Sequence, residues 1–273
     1  MNEKNAPAVL TAAQVKRYLK TEFPVTLDVQ REVTSTNTIL KSLAEQNMPE
    51  GFVLVAESQT AGRGRLGRSF HSPVGTGLYM SILLRPTFSA ERALFITTAA
   101  AVAVCRAIEQ ETGLKPQIKW VNDIYLHEKK ICGILTESSI NFETKGLKWA
   151  VLGIGLNLSE PEGGFPEEIR SVAGALFAES CSVEMRARLT AAILDHFFTF
   201  YSENLKDGAF IEDYRSRSLL TGREIVFSLA DHVYRGTVTG ISDEAHLIVR
   251  LENGEERVFS SGEVQIHKGF AKL

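Results

Sequence analysis

The run Ala90–Glu109 is apolar nearly all the way round a helical wheel. A helix without a polar face cannot lie on a surface, so this one must be a central packing element. Its most apolar stretch, Leu94–Cys105, is interrupted by Thr97 and Thr98. That stretch falls short of the ~20 residues a membrane span requires, and it reads as a buried core helix. β-rich runs flank it: Phe52–Ala56 and Leu78–Leu84 before, then Ile118–Trp120, Ile124–Leu126, Ile131–Ser138 and Leu147–Leu158 after. The last four are joined by short polar turns, which favours antiparallel pairing. A chain of 273 residues, 44% of them apolar, has material for one large or two unequal globular domains and needs no covalent staples.

The remaining elements follow from periodicity. Thr11–Thr21 reads as a short amphipathic helix and Val25–Val33 as a strand. Thr34-Ser35-Thr36-Asn37 opens a helix to about Gln46. Ser159–Glu168 is a Pro/Gly/Glu loop. Met185, Leu189, Ile193, Phe197 and Tyr201, four apart, mark a helix over Val183–Glu203, and Asp207–Ser216 is expected to form another. After Gly222 the texture changes to short strands, Glu224–Leu229, Tyr234–Ile241, Leu247–Leu251 and Arg257–Ser260, with a hairpin signal at Glu252-Asn253-Gly254. This pattern predicts a small closed β-barrel, with a boundary near Leu219–Gly222. The expected division is an N-terminal extension with a short helix (1–24), a larger domain (25–219) and the barrel (220–273).

Charge excludes some functions. With 30 Lys+Arg against 33 Asp+Glu, a net charge of -3 is not that of a nucleic-acid coat or a membrane-surface protein, so anion binding must come from a local cluster. Cys105, Cys132 and Cys181 are odd in number and widely spaced, which is neither a disulfide framework nor a zinc pattern; a reducing, cytoplasmic compartment fits. The start, MNEKNAPAVL, has no apolar signal-peptide core.

The local cluster is Gly62-Arg63-Gly64-Arg65-Leu66-Gly67-Arg68, inside an expected loop over Glu57–Gly77. It contains G-x-G-x-x-G, but Pro73 and further glycines follow where a dinucleotide-binding helix would start, and no Gly-Lys-Ser/Thr follows for a Walker loop. Closely spaced guanidinium groups repel one another, so the loop is expected to need an anion. Arginine suits phosphate and carboxylate, and glycine lets backbone amides approach a ligand. A solvated basic loop is the plainer alternative.

Two other segments carry chemistry. Lys119-Trp120-Val121-Asn122-Asp123 ends one strand, and Lys130 precedes Ile131-Cys132-Gly133-Ile134-Leu135. Lys and Asp among apolar strand residues are costly to bury unless paired or liganded, and Asp with Asn can hold Mg²⁺ through oxygen. Gly153-Ile154-Gly155-Leu156-Asn157 ends a long strand, and glycines inside a strand mark a close backbone approach.

In order and spacing, Ser35-Thr36-Asn37, the Glu57–Arg68 segment, Lys119–Asp123, Lys130…Gly133 and Gly153–Asn157 resemble the motifs of the biotin protein ligases, over about Val25 to the C-terminus. The resemblance implies an α+β catalytic domain, a mixed sheet with helices related to class II aminoacyl-tRNA synthetases, followed by a small SH3-like barrel. It implies ATP-driven formation of biotinyl-5′-AMP, then transfer of biotin to a lysine of a biotin carboxyl carrier protein. By the same resemblance Ser35, Thr36, Asn37 and Gln59 line the ureido end of biotin, Gly153 and Gly155 let its apolar part lie against backbone, and Gly64 and Gly133 also belong to the biotin-binding set. Arg63 and Lys130 flank the carboxylate and α-phosphate, and Arg65 and Arg68 hold the adenylate. Phe70, Lys119, Asn122, Asp123 and Asn157 fall to the nucleotide side, with Asp123 as a Mg²⁺ ligand. Lys130, Arg65 and Lys119 are the expected catalytic groups.

Val121 stands where that family usually has proline and Phe70 where it commonly has tryptophan; Phe70 is expected to stack on adenine. Too few residues precede the first strand for a DNA-binding domain, so no DNA or membrane partner is expected, while a sheet-edge homodimer is compatible. The rival enzyme reading is a lipoate or octanoate ligase or transferase, the latter with Cys132 as its only candidate nucleophile. A salt-sensitive nucleic-acid binder using the arginine loop is a further alternative.

Overall fold

A computed structural model of the chain describes residues 9–141, 143–203, 205, 209–229 and 232–266. The first residues of the expected N-terminal extension, the start of the helix expected from Asp207, and the last residues of the expected barrel lie outside that set. In chain order the elements are α1 (Ala12–Lys16), β1 (Thr26–Val33), α2 (Thr36–Glu45), β2 (Phe52–Gln59), β3 (Gly77–Leu84), α3 (Ala93–Thr112), β4 (Gln117–Lys119) and β5 (Asp123–Leu126). There follow β6 (Lys129–Asn141), β7 (Gly146–Asn157), α4 (Glu167–Arg170), α5 (Val183–Ser202), α6 (Ala209–Ser216), β8 (Glu224–Leu229), β9 (His232–Ile241), β10 (Leu247–Leu251), β11 (Glu256–Phe259) and β12 (Glu263–Ile266).

Seven strands form one mixed sheet in the order β1-β2-β3-β7-β6-β5-β4, with β1 parallel to β2 and the other neighbours antiparallel. Side chains alternate across it. Val53, Val55, Ile82, Leu84 and Leu152 face α3 and α5, while Leu54, Leu83 and Val151 face α2. The all-round apolar helix is α3, buried almost without a break from Ile96 to Ile108. It runs past Cys105 to a left-handed Gly113, and by length and composition alone it would reach across a membrane; here it is enclosed in the fold.

Some elements differ from expectation, for local reasons. The helix expected over Thr11–Thr21 stops at Lys16, because the amides of Lys20 and Thr21 both donate to Asp195 Oδ1, 2.9 and 2.7 Å away. β2 extends through Gln59, taking the first residues expected in the loop, because β1 continues to pair with it as far as Val33. Trp120 lies just beyond β4, and the Trp120–Val121 peptide is cis. The short helix α4 takes the last two residues of the expected Ser159–Glu168 loop.

The C-terminal sheet runs β11-β10-β9-β8-β12 and is antiparallel throughout. Among the described residues its end strands β11 and β12 are not paired with each other, and the sheet agrees with the small SH3-like domain expected from the sequence. Side chains complete the roll: Phe227 of β8 and Phe259 of β11 have two strands between them in the order, yet their rings lie 4.2 Å apart. β12 was not foreseen. The small sheet is fastened to the large one by Trp120 Nε1 donating to the Ala245 carbonyl (2.9 Å) and by Arg215 Nε donating to the Ile241 carbonyl (2.8 Å).

Candidate active site

Register builds the floor of the site. Asp123 pairs with Gly133, Gly133 with Gly155 and Gly155 with Tyr79; one step along, Leu135, Gly153 and Ser81 form a second row. Both rows face the side that carries α2. The glycines remove side chains where the sheet would otherwise be filled, and a cavity of about 470 Å³ opens there. Its walls are the start of α2 (Ser35, Thr36, Asn37), the end of β2 (Gln59) and the arginine loop with Phe70. The turn between β4 and β5 (Lys119, Asn122, Asp123), Lys130, Asn157, the 165–173 segment and β12 complete them. Arg63, Gly64, Arg65, Arg68, Gly133, Gly153 and Gly155 also line it, so every residue nominated from the sequence reaches this one space.

One end of the cavity is a network of hydroxyl and amide groups, with the Glu137 carboxylate at its edge. Gln59 Oε1 accepts from the Thr36 amide at 2.9 Å, and Gln59 Nε2 donates to Ser72 Oγ at 3.0 Å. Ser81 Oγ lies 2.7 Å from Thr36 Oγ1 and 2.6 Å from Asn37 Oδ1. Ser81 has one proton. Thr36 Oγ1 donates its own proton to Gln59 Oε1 (3.1 Å), so both Thr36 Oγ1 and Asn37 Oδ1 are acceptors that share the Ser81 hydroxyl proton. Asn37 Nδ2 donates to the Leu135 carbonyl and to Glu137 Oε2, so its amide is committed within the protein. A Cβ on Gly153 would lie 2.1 Å from Asn37 Oδ1: this glycine is required by Asn37, not only by a ligand.

The other end is cationic, and two of the three loop arginines meet protein carboxylates. Arg63 pairs with Glu137 (3.3 Å) and Arg68 with Glu263 of β12 (2.5 Å). Arg65 Nη1 donates to Asn122 Oδ1 (2.9 Å), and Lys130 Nζ pairs with Asp123 Oδ1 (2.6 Å). Protein acceptors thus offset repulsion among these cations. Burial pushes the Lys119 ammonium below its ordinary range, with Asp123 opposing and Lys130 adding to the shift. Asn157 Nδ2 donates to the Gly174 carbonyl.

Phe70 lies over the glycine floor: a Cβ on Gly155 would be 2.6 Å from its ring, and one on Gly133 3.2 Å. Cys132 is fully buried and its thiol is pushed well above its ordinary range by that burial, which is unfit for a nucleophile.

Sequence reasoning missed Ser81, Glu137 and Glu263. Ser81 interrupts an apolar strand, a signal that was there to be read; Glu137 sits in an ordinary alternating strand, and Glu263 becomes relevant only once β12 is placed. Burial raises the Glu137 carboxyl, but hydrogen bonds from Lys41 and Asn37 outweigh it and hold the group below the usual carboxylate range. A carboxyl lowered on folding stabilises above its unfolded pKa, and that stability is lost as pH falls through the folded value. Glu137→Gln should therefore melt below the wild type at about pH 7, with the gap closing towards about pH 3. A gap independent of pH would remove this role for the ionised group.

Residues 29–157 match the Biotin/lipoate A/B protein ligase family and residues 221–266 the Biotin protein ligase C terminal domain. The chain is 33% identical over 258 residues to the Bifunctional ligase/repressor BirA of Bacillus spizizenii, covering 93% of this chain and 79% of that protein. It is 29% identical over 248 residues to the Biotin--[acetyl-CoA-carboxylase] ligase of Mycobacterium tuberculosis, covering 87% and 88%. Among solved structures it is similar to the biotin protein ligase of Aquifex aeolicus in complex with biotin and ATP. There the TM-score is 0.71 and the identity 30%, with 89% of this chain and 98% of that one covered.

Proposed function

This chain belongs to the biotin protein ligase family, and on that premise we propose that it joins biotin to a lysine of a biotin carboxyl carrier protein in two ATP-driven steps. In the first, the biotin carboxylate attacks the α-phosphorus of ATP and the bond to the β-phosphate breaks, giving biotinyl-5′-AMP and pyrophosphate. In the second, the uncharged lysine amine attacks the acyl carbon, AMP leaves, and the amine proton passes to solvent. No enzyme nucleophile is required. Catalysis rests on bringing two anions together in fixed positions and on stabilising the charge that builds up.

The carrying observation is the polarity of this cavity: hydroxyl and amide groups at one end, with Glu137 and Arg63 beside them, and Arg65, Arg68, Lys119 and Lys130 at the other. Ser35, Thr36, Asn37 and Gln59 suit the ureido ring. Arg63 and Lys130 sit where the carboxylate meets the α-phosphate, Arg65 and Arg68 hold the phosphate of the adenylate, and Lys119 and Asn122 serve the nucleotide. Because protein acceptors already hold Arg63, Arg65, Arg68 and Lys130, these groups are arranged before substrate arrives. Mg²⁺ fits Asp123 as its single protein carboxylate, since this ion is held largely by substrate phosphates and water; the described residues contain no cluster of three His, Cys, Asp or Glu. When bound it would neutralise phosphate charge. We take residues 25–219 as the catalytic domain and 220–273 as the barrel that supplies Glu263.

Biotin-dependent exchange of labelled pyrophosphate into ATP tests the reading; an intact, folded sample without exchange refutes it. Equal or better exchange with lipoate would favour the related lipoate ligases. Arg65→Ala should release biotinyl-5′-AMP about tenfold faster, the equivalent of one charge-assisted hydrogen bond. An unchanged release rate would remove Arg65 from the phosphate clamp.

A further inference from the structure

Arg186 lies outside the cavity, in the first turns of α5, and is only 7% exposed. Its Nη1 pairs with Glu57 Oε2 at 2.9 Å, and its Nη2 donates to the Gly75 carbonyl at 2.7 Å. Glu57 is in β2, two residues before Gln59, and its other oxygen accepts from the Leu10 amide at 2.9 Å. Gly75 has φ +79 and sits in the turn that leads into β3. That turn is held from its other side: the Pro73 carbonyl accepts from Thr76 Oγ1 and from Tyr79 Oη, both at 3.2 Å. One guanidinium therefore bridges the strand entering the arginine loop and the turn leaving it. Arg63, Arg65 and Arg68 all lie in the span it closes.

Arginine suits this task because its planar fork serves two acceptors in different directions, which a point charge such as lysine does not. Fixing both ends of a long loop restricts the paths between them. A displacement of about 1 Å at a phosphate-binding group is enough to lose much of its effect.

We propose that Arg186 is a positioning residue for the adenylation reaction: by anchoring the Gly75 carbonyl at the exit of the arginine loop it sets where that loop rests, and so how long the enzyme retains biotinyl-5′-AMP. The proposal rests on the reading of that loop as the adenylate clamp. It differs from an ordinary buried ion pair, which contributes through its charges alone, because the working contact is the one to the Gly75 carbonyl.

Three variants separate these possibilities, each assayed in the full chain below its melting temperature for release of preformed biotinyl-5′-AMP. Arg186→Met loses both arms of the bridge and should release the intermediate about tenfold faster. Glu57→Gln loses the charge but keeps an oxygen for Leu10 and leaves the Arg186–Gly75 contact in place. It should lower the melting temperature yet release within about twofold of the wild type. Release that speeds up in both variants in step with lost stability would overturn the proposal, as would wild-type release by Arg186→Met. Arg65→Ala is the reference: fast release there with slow release in Arg186→Met overturns only the role of Arg186, whereas wild-type release by Arg65→Ala removes the clamp reading and this proposal with it.

Discussion

Lys130→Ala should form biotinyl-5′-AMP about 10²–10³-fold more slowly than the wild type while melting close to it. The kinetic expectation follows from position. Lys130 Nζ lies at the cationic end of the cavity, beside Asp123 and the Lys119 side chain, where we propose that the carboxylate and the α-phosphate meet. Two anions approach there, and removing one donor aimed at developing charge typically lowers turnover by about that factor. The stability expectation follows from exposure. The Lys130 and Asp123 side chains keep 31% and 22% of their surface, so their pairing is worth at most about 1 kcal/mol. The backbone of Lys130, which exchanges hydrogen bonds with Val172 and Gly174, is untouched by the change. Single-turnover formation of the adenylate, followed beside a thermal melt, checks both. Turnover within a few-fold of the wild type would take Lys130 out of the reacting centre.

Gly153→Ala should abolish measurable biotin binding, a loss of more than about 100-fold, and also destabilise the protein by about 1–3 kcal/mol through overpacking. The added Cβ would stand 2.1 Å from Asn37 Oδ1. Asn37 has nowhere to go without losing its bonds to Ser81, Leu135 and Glu137, and moving it disturbs Thr36 through Ser81. One methyl group thus acts on the whole polar end of the cavity. Gly240→Ala is the matched control: it too is a strand glycine, but nothing lies within 4 Å of its added Cβ. Calorimetric titration with biotin decides. If Gly153→Ala binds as the wild type does, the Asn37 network is not part of the vitamin site.

Much of the fold was legible because it depends on short-range pattern. The helix without a polar face could only be internal, and α3 is. The short turns joining β4 to β7 required antiparallel neighbours, and the sheet has them. The two-residue spacing of Gly153 and Gly155 put both on one face of a strand, which is how they come to floor a cavity. The arginine loop was also visible; the protein carboxylates that Arg63 and Arg68 meet were not. The partners are Glu137, on a strand beyond the loop, and Glu263, 195 residues from Arg68. No local pattern links such groups.

What the chain determined by itself, then, was which stretches are strands and helices, which faces are apolar, and where glycine and cationic groups accumulate, since these follow from backbone periodicity and side-chain chemistry over a few residues. Tertiary structure alone decided what each polar group meets. Register brought Gly133, Gly155 and Gly153 into adjacent rows, sheet order set α2 above them, and the second sheet carried Glu263 to the loop. The bridge from Arg186 to Glu57 and Gly75 belongs to the same class. Hydrogen bonds and ion pairs act over about 3 Å and depend on direction, so they exist only after distant segments have been placed.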